Sequence, residues 1–95
     1  MIKRIVKLTF RPAETTAFLE IFDRSAPLIR HFPGCNHLEL WQSQTDERVF
    51  FTYSFWKDAD ALENYRQSEL FQSTWAQTKI LFAEKPEAWS VTQLA

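Results

Sequence analysis

The stretch that decides the fold is VFFTYSFWKDADALENYRQSELF, residues 49–71, which runs from an aromatic segment into two helix starts. Large rings occur on both sides of the alternation at 49–56, which predicts a central β-strand with both faces covered. Asp58 stands where a helix N-cap is expected, and Ser68 where a second helical stretch begins. These signals predict a sheet with helices on one face and another cover on the opposite face.

The residues before this stretch predict a first strand. In IKRIVKLTF, residues 2–10, Ile2, Val6 and Leu8 share one side while Lys3 and Lys7 lie on the other. The apolar side should pack against helices. The lysine side should face the second cover of the sheet.

A helix is predicted to begin at Pro12, since the N–H that proline lacks would be unpaired at a helix start anyway. Its apolar stripe, which includes Phe22, should pack on the sheet. Pro27 predicts a kink or a break within residues 23–26, because its ring excludes one backbone hydrogen bond. A short second piece should then reach Phe32.

A chain reversal is predicted at residues 33–34, because the only glycine of the chain follows a proline there. NHLELWQS, residues 36–43, then alternates, with His37 on one face of a second strand and Leu38 on the other. The tail EAWSVTQLA, residues 87–95, predicts a last strand.

The predicted order is strand, helix, strand, strand, helix, strand, within one domain that spans residues 1–95. This order is the ferredoxin-like βαββαβ arrangement of the α+β class, an antiparallel sheet with helices on one face. Nine Phe, four Trp and two Tyr are more apolar area than so small a domain easily hides. We therefore expect a homodimer, in which a second copy covers the bare sheet face.

Charge and composition exclude several partners. Lysine and arginine number 11, aspartate and glutamate 12, and neither sign forms a long block, so nucleic-acid binding is not expected. No apolar run predicts a membrane span, and the start shows no signal-peptide pattern. With Cys35 as the only cysteine, no internal disulfide can form, and we expect a cytoplasmic protein.

Three segments carry a resemblance to a known family: FPGCNHLELWQS, FFTYSFWKDADALENYRQSELF and KPEAWSV. Together they resemble the antibiotic biosynthesis monooxygenase (ABM) domain, over nearly the whole chain. The positions that characterise members of that family are occupied here by Trp56, Asp58, Leu62, Ser68 and Phe71. The resemblance implies a homodimer that forms a dimeric α+β barrel, with a pocket in each subunit between sheet and helices.

The resemblance implies different chemistry at different positions. Trp56 matches a tryptophan of the quinone-forming members, which work without metal or flavin, but Thr52 stands where those members have asparagine. Haem-degrading relatives have a histidine ligand where this chain has Trp75, which cannot bind iron, and a haem-distorting ring where it has Tyr65. No cofactor is therefore expected.

The implied activity is cofactor-independent oxidation of a small aromatic, phenolic or quinol-like molecule. Its substrate would be deprotonated, would pass an electron to dioxygen, and would collapse from a peroxide to a quinone and water. The predicted catalytic residues are Trp56, Tyr65, Thr52 and His37. The predicted substrate-binding residues are Trp75, Arg66, Phe22 and Phe71.

One alternative stays open, and a second, a metal site, is not expected. The rings at Trp56, Tyr65 and Trp75 are also typical of plain core packing, which would make the chain a non-catalytic ligand-binding or stress-related dimer. A metal site from His31, Cys35, His37 and Glu39 has no recognised spacing, so no metal ligands are predicted.

Overall fold

The computed structural model describes all residues, 1–95, and is an α+β domain with one four-stranded sheet. The strands are β1 (Ile2–Thr9), β2 (Cys35–Gln42), β3 (Val49–Trp56) and β4 (Glu87–Val91). The helices are α1 (Thr15–Arg30), α2 (Ala59–Arg66) and α3 (Glu69–Lys79), and a short 3-10 turn at Pro12–Glu14 leads into α1. The predicted fold class is confirmed.

The sheet has the order β2-β3-β1-β4, and every neighbouring pair is antiparallel. Register places Arg4 beside Ser54 on one side and Ser90 on the other, and Val6 beside Thr52. Because strand side chains alternate, this register also defines which residues share each face. None of the three α-helices combines the length and the apolar composition that a membrane-spanning helix requires.

The predicted helix caps are confirmed. The Asp58 carboxylate accepts a hydrogen bond from the backbone N–H of Ala61 at 2.8 Å, and the Ser68 hydroxyl accepts one from that of Phe71 at 3.1 Å. Each cap satisfies a backbone donor that the first turn of a helix leaves unpaired. The caps therefore fix where the two helices begin above the sheet.

The predicted break at Pro27 is wrong, because α1 runs through it as one helix to Arg30. Pro27 lies in the last turn, so it removes only the single bond to the carbonyl of Asp23. Buried Ile29, packed among Ala26, Leu38 and Trp56, holds the turn after the proline in place. Tertiary packing outweighs the lost hydrogen bond.

The core lies between the sheet and the helices in two clusters. One contains Leu8, Phe10, Phe18, Phe50 and Leu81, and the other contains Ala26, Ile29, Leu38, Trp56 and Leu62. The opposite sheet face has no cover within the chain. That open face carries His37, Glu39, Trp41, Phe51, Tyr53, Phe55, Lys3, Ile5, Lys7, Trp89 and Val91.

Candidate functional site

A cavity of about 350 Å³ lies between the sheet and the helices. Its floor includes Val6 and Leu8 of β1, and Ile21 of α1 and Leu62 of α2 contribute to its upper walls. Most of its lining is apolar. A cavity of this size and composition is typical of sites for small organic molecules.

Seven of the eight predicted site residues lie at this cavity. They come from β3, α1, α2 and α3 and are Thr52, Trp56, Phe22, Tyr65, Arg66, Phe71 and Trp75. The rings border the space without closing it. The rings therefore do more than fill the core: they pack against one another and also line a cavity.

His37 is not part of the cavity, so its predicted place there needs correction. Alternation along β2 points Leu38 into the core and leaves His37 on the open face. The imidazole hydrogen-bonds Glu39 and packs at 4.9 Å from the ring centre of Phe55. The thickness of the sheet separates it from any ligand in the cavity.

An aromatic wall forms one side of the cavity. The ring of Tyr65 stacks on that of Trp56 with centres 4.7 Å apart, and meets Phe71 edge-on at 5.3 Å. Phe71 in turn stacks on Trp75 at 5.9 Å, with an angle of 10° between the planes. Flat, closely spaced rings of this kind favour a planar aromatic ligand.

Tyr65 stays a neutral phenol. Burial raises the pKa of its hydroxyl well above the usual value, and a nearby negative charge on Cys35 would raise the pKa further. A neutral phenol donates a hydrogen bond and is a poor proton acceptor. Tyr65 therefore has the chemistry of a donor and not that of a base.

Two hydroxyl groups of β3 line the floor. Ser54, which the sequence analysis did not single out, accepts a hydrogen bond from Nε1 of Trp56 at 3.0 Å. Its own proton then remains available to another acceptor. Thr52 lies two residues earlier on the same face, so both hydroxyls border the same space.

Arg4 is a second residue that the sequence analysis missed. It lies on the cavity side of β1, between Ile2 and Val6, and its Nη1 donates to the Ser90 hydroxyl at 3.0 Å. The signal was present in the pattern, because a charged residue interrupts an otherwise apolar strand face. Burial lowers the pKa of this guanidinium, and the charge of Arg66 lowers the pKa further.

The residues at the cavity do not fit a haem group. No histidine, cysteine or methionine lines it, and the one phenol, Tyr65, is held neutral. No group of three or more His, Cys, Asp or Glu side chains is arranged to hold a metal ion. His31 instead bonds the Pro27 carbonyl oxygen through Nδ1 at 2.7 Å.

Comparison with solved structures shows the same fold in several proteins. A structure described as an antibiotic biosynthesis monooxygenase has a TM-score of 0.94 and 19% identity, with 100% of each chain covered. The protein Rv0793 from Mycobacterium tuberculosis gives 0.91 and 19%, covering 99% of this chain and 95% of its own. No curated protein sequence matches the chain.

A third solved structure is a variant of SnoaB, a cofactor-independent oxygenase from Streptomyces nogalater. Its TM-score is 0.88 at 18% identity, over 99% of this chain and 93% of SnoaB. At such identities the likeness establishes the fold and leaves the chemistry to the site. The family model for antibiotic biosynthesis monooxygenase matches residues 1–77 of the chain. The chain therefore belongs to the antibiotic biosynthesis monooxygenase family.

Proposed function

We propose that the chain is a cofactor-independent monooxygenase that oxidises a small phenolic, quinol-type molecule inside the cavity. The observation that carries this proposal is the combination of an aromatic wall with hydrogen-bond donors from Thr52, Ser54 and Tyr65 around one cavity. Membership of the family supports the reaction class. The fold of SnoaB, a cofactor-independent oxygenase, is consistent with it.

In the proposed reaction, the substrate loses a proton to become a resonance-stabilised carbanion, which passes electrons to dioxygen. A carbon–oxygen bond forms and gives a peroxide, which takes up a proton. The O–O bond then breaks as the carbon loses its second proton, leaving a carbonyl and one water. Dioxygen is the oxidant, so one of its atoms enters the product and the other is reduced to water.

The protein contributes binding and hydrogen bonds to this sequence. The wall of Tyr65, Phe71 and Trp75 orients the rings of the substrate and excludes water, and buried Trp56 supports Tyr65 by stacking on it. Donors at Thr52 and Ser54 stabilise the negative charge that develops on oxygen. The neutral hydroxyl of Tyr65 supplies a further donor.

A homodimer is part of the same proposal. The open face carries exposed rings, with Trp41 40% and Trp89 45% exposed, and a second copy of this face would remove them from water. The two sheets would then pack face to face. Each chain would keep its own cavity on the far side of its sheet.

A second candidate function is binding of a small aromatic molecule without catalysis. One observation favours it: no carboxylate and no imidazole lines the cavity, so no side chain there is an evident general base. Under this function the ligand would be held by the same rings and hydroxyls.

Oxygen uptake separates the two candidates. Wild-type protein should consume dioxygen with an anthrone faster than buffer does, and ¹⁸O₂ should label the newly formed carbonyl of the product with one oxygen atom. Tyr65→Phe should slow this uptake, whereas Tyr53→Phe, on the open face, serves as the matched control. Ligand binding with oxygen uptake no faster than in buffer would favour the binding function.

A further inference from the structure

We propose that the cavity binds its ligand as an anion, a planar aromatic carboxylate or phenolate whose charged oxygen lies between Arg4 and Arg66. The inference deepens the proposed function by naming the charge of the substrate, and for turnover it rests on that function. Binding of such an anion can be measured without any turnover.

The positions of the two arginines carry the proposal. Arg4 rises from the floor at the middle of β1, and Arg66 is the last residue of α2 above it. Both line the same cavity and lie close enough for their charges to interact. An anion between them would contact a guanidinium from the sheet and another from a helix.

Neither arginine is neutralised by a strong partner inside the protein. Arg4 forms no ion pair, and its one side-chain hydrogen bond goes to the Ser90 hydroxyl, which leaves most of its five N–H donors for other acceptors. Arg66 lies 3.5 Å from Glu63, in an exposed pair one turn back along α2. Pairs of that kind contribute little and exchange readily for a better acceptor.

The rest of the lining agrees with an anionic ligand. No aspartate or glutamate faces the space, so nothing repels a negative charge or competes with it for the guanidinium groups. Two like charges facing one cavity are unfavourable until an anion joins them. Arginine also suits planar oxygen anions, because its parallel N–H groups match a carboxylate.

The aromatic wall determines which uncharged part the ligand should have. Trp75 is half-buried and borders the cavity, so a planar ring system can pack against it while its charged edge reaches the arginines. Its indole also gives a direct signal, since a bound aromatic ligand should change its fluorescence.

The test compares 2-naphthoate with its neutral analogue 2-naphthamide, by titration calorimetry and tryptophan fluorescence. Neither probe is an oxidisable phenol, so the measurement reports binding alone. Wild-type protein should bind the anion about tenfold to a hundredfold more tightly than the amide. Arg4→Gln and Arg66→Gln should each remove most of that preference, because each weakens binding of the anion far more than binding of the amide.

Two further variants serve as controls. Arg4→Lys keeps the positive charge and should retain part of the preference for the anion, so it tests the proposal even where Arg4→Gln folds poorly. Arg11→Gln, at an exposed arginine that pairs with Glu14 and does not line the cavity, should bind both probes as wild type does.

The inference is overturned if wild-type protein binds both probes equally, or neither, or if the glutamine variants keep the full preference for the anion. Its failure is distinct from failure of the proposed function. Arginine-dependent naphthoate binding without oxygen uptake would sustain the anion site and reject the oxygenase. Oxygen uptake with neutral quinols at the same rate in the wild type and in both glutamine variants would sustain the oxygenase and reject the anion site.

Discussion

Nε1 of Trp56 donates a hydrogen bond to the Ser54 hydroxyl at 3.0 Å, and both side chains are almost fully buried. Ser54→Ala should therefore leave a buried indole N–H without an acceptor, which costs about 1–3 kcal/mol of unfolding free energy. Urea denaturation measures the loss. Ser73→Ala, at an exposed position of α3, is the control and should change stability by less than about 0.5 kcal/mol. Equal effects of the two substitutions would contradict the assignment.

Gly34→Ala should destabilise the fold through two separate effects. Gly34 has a φ of 88°, and an added Cβ would lie 2.4 Å from the Cβ of Ala61 at the start of α2. The backbone strain alone costs about 1–3 kcal/mol, and the clash adds to it. Ala61→Gly removes the clash and leaves the strain. A double-mutant cycle in urea should therefore show the pair less destabilised than the sum of its single variants, and strict additivity would refute the contact.

Acid should weaken the fold through Glu39 on the open face. The hydrogen bond from Nε1 of Trp41 lowers the pKa of this carboxyl most, and the hydrogen bond from His37 lowers the pKa further. Because the folded pKa lies below the ordinary value of 4.5, the stabilisation is complete above about pH 4.5 and is lost as the pH falls through the lowered pKa.

Glu39→Gln should flatten the dependence of melting temperature on pH below about 4.5, where the carboxylate of the wild type becomes protonated. Thermal melts between neutral and strongly acid pH measure the effect. Glu20→Gln, at an exposed position of α1, should leave the slope as it is in the wild type. A Glu39→Gln variant with the full acid slope would show that this carboxylate is not responsible.

Trp89→Glu should disrupt the proposed dimer, because it places a charge among rings that the partner would bury. Multi-angle light scattering should give two chains of 11.3 kDa for the wild type and one for the variant. Leu28→Glu, at a residue 59% exposed on α1, is the control and should remain dimeric. A monomeric, fully folded wild type would refute the dimer.

Thr52→Asn should accelerate oxygen uptake by about tenfold or more, because the amide N–H₂ offers two donors to a developing oxyanion where the hydroxyl offers one. Thr52→Val, of nearly the same shape, should slow it. Initial rates with an anthrone under air measure both changes. If both variants bind the substrate normally and match the wild-type rate, Thr52 does not contact the reacting oxygen.

The elements of this fold that the sequence predicted well have local causes. β3 runs from Val49 to Trp56, as the alternation predicted, and the caps at Asp58 and Ser68 act on backbone groups three residues away. The prediction of a break at Pro27 is wrong because tertiary packing decides whether the helix continues there. Buried Ile29 keeps the last turn of α1 helical, and no local pattern reveals how strongly it is held.

The candidate site was only partly predictable. Family resemblance points to Trp56 and Tyr65. Arg4 interrupts an apolar strand face in the sequence, but only the strand register shows that it lies on the cavity floor. The prediction of His37 as a catalytic residue rests on its residue type, although alternation along β2 places it on the sheet face opposite the helices. Whether the rings fill the space or border it depends on side-chain rotamers, which sequence does not determine.

The cavity lining contains donors and cations but neither carboxylate nor imidazole. Ionisation of a ligand must therefore occur in bulk solution, or with water as the acceptor, before or during entry. The pH profile of binding or turnover should then follow the acidity of each ligand. Two phenols of different acidity would give pH profiles with two different midpoints on the same protein. This is the behaviour expected of a cavity that selects a ligand already ionised in solution.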